Sequence, residues 1–177
     1  MGKFDLKISI AFILFLTLVL VASAQTVPPK FVAPDQSFSI QFPDTPAVLP
    51  GTGTAANGTP YTSTTYYTVY GAAYYSVSVT DYNFVVDVPA DYQRAAKGVL
   101  GSGTLIVDQS AVVDGHPMYT MIFTQYNKDM QADINSAMVF VAVGKRMYIV
   151  TFLIKKSDDT STTTETVVNF VNSFKIL

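Results

Sequence analysis

The chain has a single histidine, His116, in the stretch DGHPMY (114–119), and no cysteine. Imidazole is the usual general base near neutral pH, but hydrolysis needs a nucleophile and an orienting carboxylate beside it in space. The local sequence accounts for His116 in another way. Asp114-Gly115 is a turn pair in which Gly115 supplies a positive φ, and Pro117 holds the residue before it extended. We therefore expect His116 to follow a turn and to have no catalytic role.

Other reactive patterns resolve similarly. A zinc site gathers several Cys, His or carboxylate ligands, which one histidine without cysteine does not furnish. Asp158-Asp159 lacks the ligand spacing of an EF-hand loop and reads as a solvated helix start near the positive end of the helix dipole. The glycine-rich pieces GTGT (51–54) and GSGT (101–104) lack both the GK[ST] ending and the GxGxxG pattern, so they read as loops. No GxSxG nucleophile elbow occurs. Asp87 and Asp91 could in principle bracket a glycosidic bond, but one turn apart at a helix start they read as capping and surface charge. No catalytic, cofactor-binding or metal-ligating residue is assigned, and no cofactor is expected.

The tyrosines remain. Seven of the 11 lie between Tyr61 and Tyr82. Tyrosine is a good strand former, and an exposed one offers contact area at small entropic cost. Which of them are exposed depends on the elements that carry them.

YTSTTYYTVY (61–70) and AYYSVSVTD (73–81) flank Gly71-Ala72, a two-residue hairpin loop of the Gly-X kind. That loop places Tyr70 opposite Ala73, Thr68 opposite Tyr75 and Tyr66 opposite Val77. Tyr66, Tyr70, Tyr75, Val77 and Val79 then share a buried face. Ser63, Thr65, Tyr67, Tyr74, Ser76 and Ser78 share the other, so Tyr67 and Tyr74 are the candidate binding surface. TLIVDQSAVV (104–113) and HPMYTMIFTQY (116–126) form a second hairpin, with Tyr119, Met121 and Phe123 on one face. SAMVFVAV (136–143) and RMYIVTFLI (146–154) form a third around Gly144-Lys145; both are apolar on both faces, which suits central strands covered on each side.

FSIQF (38–42) alternates as a half-buried strand, and residues 43–60 read as a Pro/Gly/Thr loop with a turn at NGTP. Two stretches have helical spacing. Tyr92, Ala95, Ala96 and Val99 mark a helix within 88–103, and Val167, Phe170, Val171 and Phe174 mark another within 157–177. The expected class is α+β: an antiparallel sheet of about six to seven strands flanked by two main helices.

The N-terminus is set apart from this domain. Lys3 and Lys7 precede a charge-free run from Ile8 to Val21, and Ala-Ser-Ala follows at 22–24. This is the pattern of a secretory signal peptide, 1–24. As a helix the run spans ~21 Å, short of a hydrocarbon core of roughly 30 Å. Cleavage after Ala24 leaves 153 residues, with an extended, proline-rich leader at 25–36 and one domain at 37–177. Loss of Lys3, Lys7 and Asp5 from 11 basic and 13 acidic residues leaves 9 and 12, a net charge of −3. That balance argues against nucleic acid or an anionic membrane as partner. A cysteine-free exported chain suits a bacterial envelope, so we expect a secreted or periplasmic protein with no stable membrane span once the signal peptide is removed.

Four stretches taken in order, FSIQFPDTP (38–46), DGHPMY (114–119), RMYIVTF (146–152) and VNFVNSFKIL (168–177), resemble the PsbP-like fold superfamily, especially its small secreted bacterial members of unknown function. The superfamily includes the photosystem II extrinsic protein and a Ran-binding nuclear import factor. The resemblance implies an α/β/α sandwich used to bind other proteins without catalysis. It transfers no functional residue, because the matching positions are core and turn residues. The expected function is an exported, noncatalytic protein-binding or assembly module whose partner is a protein or cell-envelope component. The alternatives are a small-ligand or lipid carrier and, last, a hydrolase.

Overall fold

The computed structural model describes residues 30–86, 97–98, 100–101, 103–113 and 115–177. The signal segment 1–24 and the start of the leader lie outside this range. Seven strands form the main antiparallel sheet: β3 (Ala47–Thr54), β4 (Pro60–Tyr70), β5 (Ala73–Asp81), β6 (Thr104–Val113), β7 (His116–Asn127), β8 (Ala132–Val143) and β9 (Arg146–Lys155). Their spatial order is β3-β4-β5-β9-β8-β7-β6. A second sheet of three short strands, in the order β1-β2-β10, joins β1 (Phe31–Val32), β2 (Phe38–Ile40) and β10 (Lys175–Ile176). One complete helix, α1 (Thr163–Asn172), is present among the described residues.

Tight turns set the register. Gly71 and Gly144 each have a φ of 59°, which lets the chain reverse in two residues with the hand of twist that strands require. Tyr70 pairs with Ala73, Tyr66 with Val77, and Val143 with Arg146, the registers the loop lengths dictate. The side-chain alternation follows: Tyr66, Tyr75, Val77 and Val79 are buried on one face. Tyr70 departs from this expectation. Its parity is right, but it sits at the hairpin tip, beyond the covering layer, and is exposed.

β8 and β9 lie centrally and are buried on both faces, as their composition requires. On one face Val139, Val141, Val150 and Phe152 meet Phe38, Ile40, Phe42 and Phe170, brought by the small sheet and α1. On the other, Phe140, Ala142 and Met147 join Tyr119, Met121 and Phe123 of β7, with Val86, Tyr82 and Leu100 packed against them. Of the expected stripe, Val167, Phe170 and Val171 lie in α1 and Phe174 just beyond its end, and all four face the first of these cores. Phe38 is its hub, with its ring 5.5 Å from Tyr66, 5.9 Å from Tyr148 and 5.7 Å from Phe174 between centroids.

Several expectations need correction. Residues 47–54, read as loop, form the edge strand β3. Pro50 is tolerated there because an edge strand can spare an N–H. Gly51 lies against Ser63, and a Cβ at Gly53 would collide with the Tyr61 ring, so both glycines are close-packing positions in a strand. Only Phe38–Ile40 of FSIQF is strand, and it belongs to the small sheet, leaving the edge of the main sheet to β3. Phe31–Val32, read as leader, pairs with Ser39 and Ile40, and Phe31 packs into the core. Asp158 closes a short 3-10 turn, and α1 begins only at Thr163; the Asp159 carboxylate accepts a hydrogen bond from Asn135 at 2.6 Å. The helix expected within 88–103 lies mostly outside the described residues, as do Asp87 and Asp91; Lys97, Gly98 and Leu100 are helical. Gly101 has a φ of 51°, and Gly103 sits so close to the Thr124 carbonyl that no Cβ fits, which gives both glycines a structural reason.

An ionic latch ties the two sheets. Arg146 donates twice to Asp81, its neighbour across β5 and β9, and once at 2.6 Å to Asp35 in the turn between β1 and β2. Asp81, foremost, holds the guanidinium charged against its partial burial, and Asp35 and Tyr148 add to this. At Asp35, burial opposes ionisation, but the Ser37 hydroxyl and Arg146 outweigh it and hold the carboxyl below its ordinary value of 3.8.

Three stability outcomes are expected. Phe38→Ala should destabilise by about 3–5 kcal/mol in urea unfolding, because the ring is fully enclosed and its cavity cannot collapse. Ser136→Ala should stabilise by about 1 kcal/mol, since the buried Ser136 hydroxyl has no hydrogen-bond partner among the described residues. For Asp35 the depressed carboxyl stabilises the fold above its ordinary pKa, and this contribution is lost as pH falls through the lowered folded value. Because Asp35 is half exposed, the difference between wild type and Asp35→Asn should be no more than about 1 kcal/mol at pH 7. Urea unfolding as a function of pH should show that difference fading only below the ordinary carboxylate range; a constant difference down to about pH 2 would contradict the latch.

Candidate functional site

His116 stands where the sequence placed it, immediately after a turn. Gly115 has a φ of 79°, and His116 opens β7 opposite Val113. The structure adds what one-dimensional reading missed. His116 lies on the rim of a cavity of about 340 Å³ between the main sheet and its cover of α1 and β10. The floor is aliphatic, made by Val139, Val141 and Val150 of the central strands, and the roof is Val171, Phe174 and Ile176. Among the described residues the polar side chains lining it are His116, Asn172 and Lys175, with no serine, Asp or Glu. Its components come from five elements spread over sixty residues of chain, so no local motif could have announced it.

Tyr67 and Tyr74 are brought together on the opposite face of the sheet. Tyr67 lies across from Ser76 and Tyr74 across from Val69, so the two rings are diagonal neighbours. They stack at 5.9 Å between centroids with 24° between planes. Both are half-buried, and Thr65 and Ser78 beside them share a hydrogen bond of 2.8 Å. Leu49 and Val69, on the same face by register, are exposed. Strands β3 to β5 place no charged side chain on this face, since the alternation puts Asp81 on the other. The surface is thus aromatic, aliphatic and hydroxylic, with a cation at its margin, Lys155 of β9, which shares the face two residues beyond Leu153, the partner of Tyr74.

A second aromatic group lies at the far end of β4, where Tyr61 meets Tyr82 at 5.5 Å and Tyr82 meets Phe84 at 5.0 Å. An open groove beside it is lined by Thr52, Thr54, Asp81 and Asn83. Tyr61 is occupied in covering Gly53, so this cluster is first of all packing. On β7, burial and then a hydrogen bond to Asp108 push the Tyr119 phenol up to about 12, which ties the edge strand β6 to its neighbour. Among the described residues no group of three His, Asp or Glu side chains is disposed around a common point for a metal. Among them, too, no helix is long and apolar enough to cross a membrane.

This fold has solved relatives. The solution structure of cyanobacterial PsbP (CyanoP) from Synechocystis sp. PCC 6803 superposes with a TM-score of 0.56 at 9% identity, covering 88% of this chain and 96% of that one. A Pseudomonas aeruginosa protein of unknown function, described as a putative regulator, gives a TM-score of 0.42 at 14% identity over 73% of this chain and 84% of its own. A Bacteroides thetaiotaomicron VPI-5482 protein gives 0.46 at 13% identity over 86% of this chain and 49% of its own. At these identities the likeness to CyanoP concerns the fold alone. Among curated proteins no match reaches significance. The sequence profile of the PsbP-like protein family, however, matches residues 72–176, more than half of the chain and all of the sheet from β5 onward. The chain belongs to the PsbP-like protein family.

Proposed function

We propose that this protein is an exported, noncatalytic binding or assembly module of the bacterial envelope, and that its recognition surface is the hydroxyl-rich sheet face around Tyr67 and Tyr74. The observation that carries this reading is the stacked tyrosine pair, held half-exposed amid Thr65, Ser78, Leu49 and Val69. Rigid aromatic side chains that keep their hydroxyls in water give contact area with little ordering entropy. The partner class is a protein or another envelope component; a face with Lys155 alone at its margin offers little to nucleic acid, whose recognition rests on many neutralised phosphates. Export is inferred from the basic, apolar and small-residue sequence of 1–24. The expected sandwich with a second helix, within 88–103, belongs to the same proposal. The hydrolase alternative gains no support from His116, because the described residues lining its cavity supply neither a nucleophile nor an orienting carboxylate.

The test is affinity capture from the native envelope fraction with the full chain and its Tyr67→Ser/Tyr74→Ser variant. Wild type should enrich a partner above control at micromolar bait, and the variant should lose most of that enrichment while unfolding at the same urea concentration. Equal enrichment by both proteins, or none by wild type, contradicts the proposal.

A further inference from the structure

The two edges of the main sheet are built differently. We infer that one of them, β6, pairs antiparallel with the β6 of a second copy of this chain about a two-fold axis at Gln109, joining two main sheets into one. This goes beyond the surface recognition proposed above, since β6 and the tyrosine strands lie toward opposite ends of the sheet.

Edge strands are ordinarily blunted, because their outward N–H and C=O groups invite further strands. β3 is blunted in this way: Pro50 removes a donor, and Gly51 and Gly53 interrupt its side chains. β6, TLIVDQSAVV, contains no proline, glycine or lysine, and among the described residues no strand lies beyond it. Leu105, Ile106 and Val112 on this one strand are 39%, 62% and 72% exposed, an apolar load that a solvated edge does not call for. The bulge at Ile106 lies near one end and leaves residues 107–112 in regular register with β7.

A second copy is the fitting occupant because the strand is its own complement. From Gln109 the polarity reads alike in both directions: Asp108 and Ser110 flank it, then Val107 and Ala111, then Ile106 and Val112. A two-fold at Gln109 sets the members of each pair opposite one another, polar with polar and apolar with apolar. Paired residues then share a face, as an antiparallel ladder demands. Charge agrees with this register. Asp108 is the only charged residue of β6; it meets Ser110 of the second copy, not its own equivalent, and its carboxylate already holds the Tyr119 phenol. Pairing of β6 with β3 would build an open filament, but Pro50 lacks an N–H such a ladder would use. The two-fold pair closes on itself. Its axis stands perpendicular to the sheet, so the Tyr67 and Tyr74 surfaces of both copies face the same way and can bind bivalently.

The absence of cysteine makes a clean experiment possible. In the full chain, Gln109→Cys places one thiol on the axis, where paired Cα atoms are about 4.5–5.5 Å apart, within the reach of a disulfide. Oxidation with copper phenanthroline should give a covalent dimer. Ala111→Cys, exposed on the same face, should not cross-link, because the two thiols would be offset by about 13 Å along the strands. This pair separates the β6 contact from association through the apolar run of residues 8–21. Sedimentation should show a reversible monomer–dimer equilibrium, weakened about tenfold or more by Val112→Lys, which sets an ammonium against Ile106 of the second copy. Val112 is exposed, so urea unfolding of that variant at low concentration should be unchanged. Tyr67→Ser/Tyr74→Ser should leave Gln109→Cys cross-linking as it is, which keeps this inference distinct from the surface proposed above. Equal cross-linking by the two cysteine variants, filaments in place of dimers, or a monomer at every concentration, leaving the edge to an extended segment of another protein, would each overturn the inference.

Discussion

The structure depends on one constraint: β8 and β9 are apolar on both faces, so neither face of their pair can be left to water. Val139, Val141 and Val150 point to one side, and Phe140, Ala142 and Met147 to the other. A strand pair of this kind is stable only in the middle of a sheet with a layer on each side. The hairpins β4–β5 and β6–β7 supply the lateral neighbours. The small sheet and α1 supply one cover, while Tyr82, Val86 and Leu100 pack on the other side.

The two covers are built differently, and the difference shapes the candidate sites. The small sheet is made of strands of two or three residues from opposite ends of the described chain. It gains little from its own ladder and is held by the aromatic cluster around Phe38 and by the Arg146 latch. Such a cover can be dense at its centre and thin at its margin, and the cavity beside His116 lies at that margin. The opposite face is polar where it runs out over β4 and β5, and there Tyr67 and Tyr74 stack among hydroxyls. Membership of the PsbP-like family and the likeness to CyanoP account for the frame.

Much of the frame was legible because it is written in local chemistry. Gly71, Gly115 and Gly144 each close a two-residue loop, and such loops fix register and hence every side-chain face. The pairing of Tyr66 with Val77 and the common face of Tyr67 and Tyr74 both follow. The helical stripe of α1 was legible for the same reason. What failed was what only tertiary context decides. Pro50, Gly51 and Gly53 spell a loop unless an edge position and the Tyr61 and Ser63 side chains are known. Phe31 and Val32 are too few to show a period, and Tyr70 has buried parity at a place nothing covers. His116 was read correctly as the residue after a turn, but its position on a cavity rim is fixed by Val150 and Lys175, far away in sequence.

Native-state amide hydrogen exchange tests the central constraint most directly, because it reports which strands open only when the whole domain unfolds. If the doubly covered pair anchors the molecule, the amides of Val139, Phe140, Val150 and Phe152 exchange slowest, at the rate set by global unfolding. Those of the edge strand β3, from Val48 to Gly53, exchange orders of magnitude faster. Exchange of β9 as fast as that of β3 would show that the sheet is not organised around its centre and would contradict the account.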